Sequence, residues 1–404
     1  MEENIFLRYV QKKTIFKDKK VLNSTYIPQK IFFRDHEIEN LTSILASSLN
    51  GYQSNNVFIY GTCGTGKTIC CKFVLTHLME MAKRQKRNIK TIYVNCKMKK
   101  VADTEYRVLI QLLREFDEIL PDTGLPTELL YRRFFEKVEE KKQGVIIILD
   151  EIDALFNKIG DDFLYNLVRI NSDLDKSYIT LIGITNDVSF REKLDQRVKS
   201  SLGEEEILFK PYNAPQLKNI LLERAEEGFS VGVDEAVLNK CAAIAAQEHG
   251  DARKALDLLR ITGEICERFG DIRLEEKHVD VAEQKLDIDK VTETIKAQPK
   301  QSQAVLHAII KLDEKKQNSG KKWVDSRLLT GDVFTTYKEI CLNNNLKPLT
   351  QRRVSDLLSE LDMLGIITTK VVSNGRYGRS REISIAITHN AIEKAKQLLF
   401  TRFG

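Results

Sequence analysis

Two stretches of this chain combine residue types and spacing in a way that handles phosphate chemistry. The first, Gly61-Thr62-Cys63-Gly64-Thr65-Gly66-Lys67-Thr68, is a complete match to G-x-x-x-x-G-K-[ST]. Gly61, Gly64 and Gly66 allow backbone conformations that side chains would block, so the N–H groups of the turn, that of Thr65 included, can close around phosphate oxygens. Lys67 is then placed to reach β- and γ-phosphates, and the Thr68 hydroxyl to ligate Mg²⁺. The second stretch is Asp150-Glu151, at the end of an apolar run. Asp150 would hold the hydration shell of the metal, while Glu151 orients or deprotonates an attacking water. A third position, Asn186, leaves the carboxyl end of another apolar run, where ligands bind in open α/β sheets. It can place that water or sense the γ-phosphate. Asn186-Asp187 is also ordinary turn chemistry, and a glycine-rich turn without a ligand is the plain alternative for the first stretch.

These residues need strands and helices to carry them. Val57–Tyr60 reads as a buried parallel strand and Ile69–Arg84 as the helix after the glycine turn. Further strands are expected at Ile89–Cys96, Gly144–Leu149, Tyr178–Thr185 and Glu206–Lys210; the second of these is apolar on both faces, as a central strand should be. Helices are expected over Ala102–Leu120 and Glu128–Lys142. From Asn213 the alternation stops, and Pro215–Glu227, Asp234–Gln247, Asp251–Arg268 and Glu275–Lys285 read as a small helical bundle. Residues 1–30 read as an extended arm lying on the domain, since Pro28 and the lack of a period disfavour a helix. The polar stretch 286–303, with Pro299, reads as a linker.

The remainder has another layout: helices at Gln303–Glu314, Val333–Asn343 and Gln351–Leu364, then strands at Ile366–Val372 and Glu382–Ile387 joined by Ser373–Arg381. Three helices followed by a hairpin is the order of a winged helix. Its third helix would carry Arg352 and Arg353 to a major groove, and the hairpin tip would bring Arg376, Tyr377, Arg379 and Arg381 to a minor groove or backbone. Winged helices also dock proteins, so the layout leaves DNA and protein partners open. Charge leans toward a polyanion: residues 291–404 hold 19 Lys and Arg against 11 Asp and Glu, although the whole chain carries only +5.

At 404 residues the chain exceeds one ordinary core. No run reaches the length needed to span a bilayer and the start lacks a signal-peptide pattern, so a cytoplasmic protein without membrane partners is expected, nucleoid-associated if its basic C-terminal part binds DNA. The 7 cysteines form no C-x-x-C pair and the 6 histidines are scattered, which indicates neither a disulfide framework nor a zinc site.

With the glycine turn, Leu149-Asp150-Glu151-Ile152-Asp153, Gly183-Ile184-Thr185-Asn186-Asp187, helical bundle and winged helix in that order, the chain resembles the archaeal origin-recognition and cell-division-control replication initiators, a branch of the AAA+ ATPases. The likeness covers nearly the whole chain. Its most specific parts are Asp195–Glu204 and His249–Arg260, with Tyr106-Arg107-Val108-Leu109 and Leu349–Val354. The resemblance implies an α/β fold, with an AAA+ P-loop parallel sheet of five strands, a helical lid and a C-terminal winged-helix domain. The expected boundaries are 1–212 for the nucleotide domain with its arm, 213–288 for the lid and 289–404 for the winged helix. It further implies that Arg253 is the lid arginine on the γ-phosphate, that Tyr212 and Arg224 touch the nucleotide, and that Arg34 lies on the arm packed by the adenine. A segment from Lys97 to Arg107, with Lys97, Lys99 and Lys100, falls where these initiators carry an extra DNA-touching helix. Arg197 is the candidate arginine finger across a subunit interface, though some relatives place an arginine where this chain has Ser201.

The function so implied is a slow, switch-like ATPase, using ATP/ADP and Mg²⁺, that binds double-stranded origin DNA and helps recruit or load the replicative helicase, with paralogous initiators as further partners. Two other functions compete with it: a DNA-binding regulatory paralogue that occupies origins or promoters without loading helicase, and a remodeller acting only on proteins.

Overall fold

The five apolar runs expected to be strands before residue 213 pair in parallel. In the computed structural model, residues 14–98, 102–121, 123–202, 205–318, 328–373 and 379–403 are described; of Arg191, Ser201, Leu202, Gln317, Asn318, Ser373 and Arg379 only the backbone is. The chain divides into two compact units, Met1–Val279 and Asp280–Gly404.

The first unit runs α1 (Asp35–Leu49), β1 (Val57–Tyr60), α2 (Lys67–Arg84), β2 (Ile89–Asn95), α3 (Glu105–Arg114), α4 (Thr127–Glu139), β3 (Gly144–Asp150), α5 (Ile152–Ile159), α6 (Asp162–Arg169), β4 (Tyr178–Thr185), α7 (Phe190–Lys193), α8 (Gln196–Leu202) and β5 (Glu205–Leu208). Then come α9 (Ala214–Gly228), α10 (Glu235–Gln247), α11 (Ala252–Phe269) and the start of α12 (Glu276–Ala297). The five strands form one sheet in the order β2-β3-β4-β1-β5, every pair parallel. The two-residue period of β3 divides its side chains between two cores. Val145, Ile147 and Leu149 pack with Val108, Leu112, Phe134 and Leu164, whereas Ile146 and Ile148 pack with Leu41, Leu45, Val74 and Leu78. Helices thus cover both faces, and the carboxyl ends of the strands are left to loops.

The arm is tied to the helical bundle rather than to the sheet. Phe16 stacks on Phe229 with ring centroids 4.9 Å apart, and Lys17 N donates to Gly228 O at 2.8 Å. Among its described residues, Lys19–Leu22 form a short 3₁₀ segment capped by Asp18.

Several expected boundaries move. The helix expected over Ala102–Leu120 is only α3, because the Thr104 side chain caps its start and Asp117 takes a left-handed φ of 61° beyond its end. Two helices, α5 and α6, occupy the stretch after Glu151, where none was expected. The linker reading of 286–303 is overturned: α12 continues to Ala297, and α13 (Lys300–Asn318) begins three residues later. Thr292 and Ile295 are buried, so what reads as a polar linker is a helix with a narrow apolar side. Pro299 sits at the start of α13, where its missing N–H costs nothing.

In the second unit, α13, α14 (Thr330–Asn343) and α15 (Gln351–Met363) surround one core with the hairpin of β7 (Ile367–Ser373) and β8 (Arg379–Ile385). A two-residue strand, β6 (Leu328–Leu329), joins β8 to give the order β6-β8-β7, all antiparallel. The last helix, α16 (His389–Phe403), buries Ala395, Leu399 and Phe403 in this core and was not anticipated. The three helices and hairpin of a winged helix are present.

Candidate nucleotide-binding site

The glycine turn is shaped by close approach. A Cβ on Gly64 would lie 1.7 Å from Asp251 Oδ1, at the head of α11, and Gly66, which caps α2, has a left-handed φ of 94°. The N-terminus of α2 therefore opens onto a cradle of backbone amides. Lys67, the first residue of α2, is buried and folds over the turn. Its Nζ donates to Gly61 O (2.8 Å), Thr62 O (2.7 Å) and Asn186 Oδ1 (2.9 Å). Burial pushes its amine down to about 8; the neighbouring Cys63 opposes that shift and Arg253 adds to it.

On the far side of the turn stand the acids. The Thr68 hydroxyl donates to Asp150 Oδ2 at 2.9 Å, and the Tyr93 hydroxyl donates to the same oxygen at 2.6 Å. Glu151 N donates to Asp150 Oδ1 at 3.0 Å, which holds the carboxylate in one orientation. Glu151 itself has a left-handed φ of 56°, a strained conformation for a residue with a side chain, and it caps α5. Its Oε1 accepts from Asn186 Nδ2 at 3.4 Å and lies 3.8 Å from Lys97 Nζ. Asn186 thus bridges the lysine of the turn and the acid placed to activate water.

The helical bundle closes the third side. Asp251 Oδ1 accepts from Arg253 N (2.8 Å) and Lys254 N (3.4 Å), and Ala252 N donates to Gly64 O at 3.2 Å, so α11 begins against the glycine turn. The Arg253 guanidinium is exposed, with Nη1 3.7 Å from Cys63 Sγ. Thr68, Asp150, Glu151, Asn186, Arg224 and Arg253 line one cavity of about 350 Å³, walled on another side by Ile27, Ile31, Phe32, Ile69 and Ile220. Arg224 lies over the Tyr26 ring at 4.8 Å, and its Nε is buried without a hydrogen-bond partner. Tyr212 lines the same cavity, while Arg34 stands behind it. Arg34 Nε donates to Thr65 O and Tyr212 Oη (3.0 Å each), Nη1 pairs with Glu37 (2.7 Å) and Nη2 donates to Lys210 O (2.6 Å). It fastens the turn to the end of β5 more than it faces the cavity. Arg197 is apart from this group: it pairs with Asp195 at 3.0 Å and covers the Tyr165 ring at 5.0 Å.

Comparison with known proteins agrees with this layout. Three family models match in order: an AAA domain over residues 51–191, a Cdc6 AAA+ ATPase-type lid domain over 218–284 and a CDC6 C-terminal winged helix domain over 293–395. The chain is 47% identical to an ORC1-type DNA replication protein of Thermococcus onnurineus, over 96% of its own length and 92% of the relative's. The chain belongs to the ORC1-type DNA replication proteins. ORC1-type DNA replication protein 1 of Methanosarcina mazei is 45% identical over 98% of this chain and 93% of its own. The Aeropyrum pernix ORC1 protein, solved in complex with DNA, superposes with a TM-score of 0.80 at 40% identity, covering 97% of this chain and 99% of that one.

This ORC1-type chain has cavity residues that motif reading missed. Tyr93 and Asn95 both line the cavity. The signal was available in the parallel pairing: β2 runs beside β3 with Asn95 opposite Asp150, so residues ending β2 arrive at the acids. Lys30, Lys72 and Glu223 line it too, while Asp251 at the head of α11 packs against the glycine turn and Arg253 approaches Cys63. In the second unit Val354, Leu357, Leu358 and Leu361 bury one side of α15, which leaves Arg352 and Arg353 exposed; Arg353 lies 3.4 Å from Asp356. Arg381 is on a strand rather than at a free tip, its Nη1 donating to Ser359 Oγ (2.6 Å) and Ser355 O (3.3 Å) of α15. Lys99, Lys100, Arg376 and Tyr377 lie outside the described residues, as does the Arg379 side chain. No helix among the described residues is long and apolar enough to cross a membrane.

Proposed function

We propose that this chain is an ATP-dependent replication initiator that binds double-stranded origin DNA and helps recruit or load the replicative helicase, with slow hydrolysis serving as a switch. The observation that carries the nucleotide half is the convergence of the Thr68–Asp150 pair, the Asn186–Glu151 pair and Arg253 on one cavity, with the buried Lys67 amine hydrogen-bonded to Asn186 at its wall. A buried Arg224 Nε without a partner and a glycine cradle suit a polyphosphate bearing a base. Thr68 and Asp150 supply hard oxygen donors and would hold Mg²⁺, which supplies charge neutralisation on the phosphates when bound. Among the described residues no group of three or more His, Cys, Asp or Glu could hold a metal. That fits an ion held by one or two protein oxygens plus phosphates and water.

The roles follow from position. Lys67 neutralises the β- and γ-phosphates, Glu151 takes a proton from water, Asn186 aligns that water with the γ-phosphate, and Tyr212 and Arg224 hold the base and sugar side. Arg34 acts by anchoring Tyr212 and Thr65. Arg197 serves a neighbouring subunit's site. Domain boundaries at 1–212, 213–288 and 289–404 accommodate the three matched family segments. Arg253, reaching only the γ-phosphate, separates the ATP and ADP states. Arg253→Ala should therefore weaken ATP by about 10- to 100-fold, the worth of one charge-assisted hydrogen bond, and ADP far less. Calorimetric titration with both nucleotides reads the difference, and equal losses would remove Arg253 from this role.

The DNA half rests on the exposed Arg352 and Arg353 at the start of α15 and on full-length similarity to a protein solved with DNA. Arg352→Ala or Arg353→Ala should cost about 1–3 kcal/mol where the contact is to a base, and should relax sequence preference. Competition between duplexes selected from genomic DNA and random duplexes tests this; unchanged preference in both variants would sink the helix assignment. Helicase loading in a purified system separates the initiator from a DNA-bound regulator.

A further inference from the structure

A second basic surface lies at the opposite end of the parallel sheet, where the strands begin. α2 ends in Lys83 and Arg84, the turn into β2 holds Lys86 and Arg87, and the turn from α4 into β3 holds Lys141 and Lys142. The two turns are laced together: Gly144 N donates to Asn88 O at 2.9 Å, and Asn88 Nδ2 donates to Lys142 O at 3.4 Å. All six cations are exposed, and none has an ion pair among the described residues. The acids nearby in the chain do not neutralise them. Glu140 pairs with Lys137 at 3.1 Å, Glu139 accepts the backbone amides of Lys176 and Ser177, and Glu80, one turn before Arg84, makes no ion pair.

Lys86 is the telling residue. It closes α2 with a left-handed φ of 53°, Arg87 N donating to Ala82 O (2.8 Å) and Lys86 N to Lys83 O (3.2 Å). That cap position is normally glycine, because a side chain is strained there. A cation held at a strained position, among five others without partners, raises the local potential.

We infer that this end of the first unit is a further DNA contact, which binds the phosphate backbone of a duplex without reading bases. The inference rests on the DNA-binding function proposed above. Flexible, mostly lysine cations that make no ion pair with the acids near them suit a regular, densely charged polyanion, and their effect is non-specific and salt-dependent. The surface is at the far end of the strands from the nucleotide cavity, so its charge can be altered without touching that site.

The test uses the full chain, nucleotide calorimetry, and DNA affinity measured over a salt series on a duplex selected by the unaltered protein and on a random duplex. Lys86→Gly removes a charge while relieving the backbone, so it should fold at least as well as the parent and make the slope of log affinity against log salt shallower by about 1. Combining it with Arg87→Gln, Lys141→Gln and Lys142→Gln should make the slope shallower by about 2–4. Both duplexes should lose affinity equally, leaving the preference between them and ATP affinity unchanged. Parental slope and affinity in Lys86→Gly and in the folded combined variant would overturn the inference while DNA binding by the parent stands. A parent without salt-dependent DNA binding would overturn the proposed function itself.

Discussion

Lys67→Ala should lower affinity for ATP and ADP by roughly 10²–10⁴-fold, the worth of about two charge-assisted hydrogen bonds to phosphate oxygens. Lys67 is the buried cation of the glycine turn, and its amine already makes three hydrogen bonds of 2.7–2.9 Å to loop and Asn186 acceptors. Phosphate oxygens would compete for those protons, with full negative charge in place of carbonyl dipoles. The same residue gives a signature in pH. Its amine is depressed from 10.5 to about 8 by burial, so between these values it is increasingly neutral in the ligand-free fold, and a polyphosphate would restore its charge. Nucleotide binding near pH 9 should therefore take up a proton, visible as a dependence of calorimetric heat on buffer ionisation enthalpy and absent in Lys67→Ala. The sign for folding is consistent: the unfolded chain binds more protons across this window, so the ligand-free fold gains stability as pH rises through it. Unchanged affinity for both nucleotides in Lys67→Ala would refute the phosphate cradle.

Glu151→Gln should leave ATP affinity near the parental value and reduce turnover by roughly 10²–10⁴-fold, the range for loss of a general base. The substitution is close to isosteric. The left-handed backbone at φ 56° is as costly for glutamine as for glutamate, and the amide oxygen can still accept from Asn186 Nδ2. What disappears is the capacity to take a proton, together with the approach of Lys97, 3.8 Å away. Single-turnover phosphate release distinguishes this from slow product release. Release at the parental rate would mean that Glu151 is only the cap of α5.

Which parts of this were legible follows from the range of the interactions involved. The glycine turn, Asp150-Glu151 and the five strands depend on local sequence: a turn needs its glycines, and a strand buried on both faces needs an uninterrupted apolar run. Helices α5 and α6, 8 residues each, went unread because short segments take their helicity from packing that no local signal reveals, whereas the 15-residue α16 did carry a signal, its buried Ala391, Ala395, Leu399 and Phe403 recurring every fourth residue. The supposed linker failed for a related reason, since α12 is polar on most of its surface and buries only a narrow side.

Residue types and their spacing along the chain set the chemistry available to this ORC1-type protein: the phosphate turn, the acids, and the order of sheet, helical bundle and winged helix. The tertiary structure alone decided which residues meet. Tyr93 reaches Asp150 because β2 lies beside β3, and Arg253 reaches Cys63 because Ala252 N is bonded to Gly64 O across 188 positions of chain. Arg34 became an anchor because strand β5 ends against it, and Arg381 was drawn onto α15 by the hairpin register. Six lysines and arginines from two separate turns became one surface because Gly144 and Asn88 are hydrogen-bonded neighbours. Such meetings are set by strand order and helix packing, which act between residues far apart in the chain and leave no spacing for a motif to record.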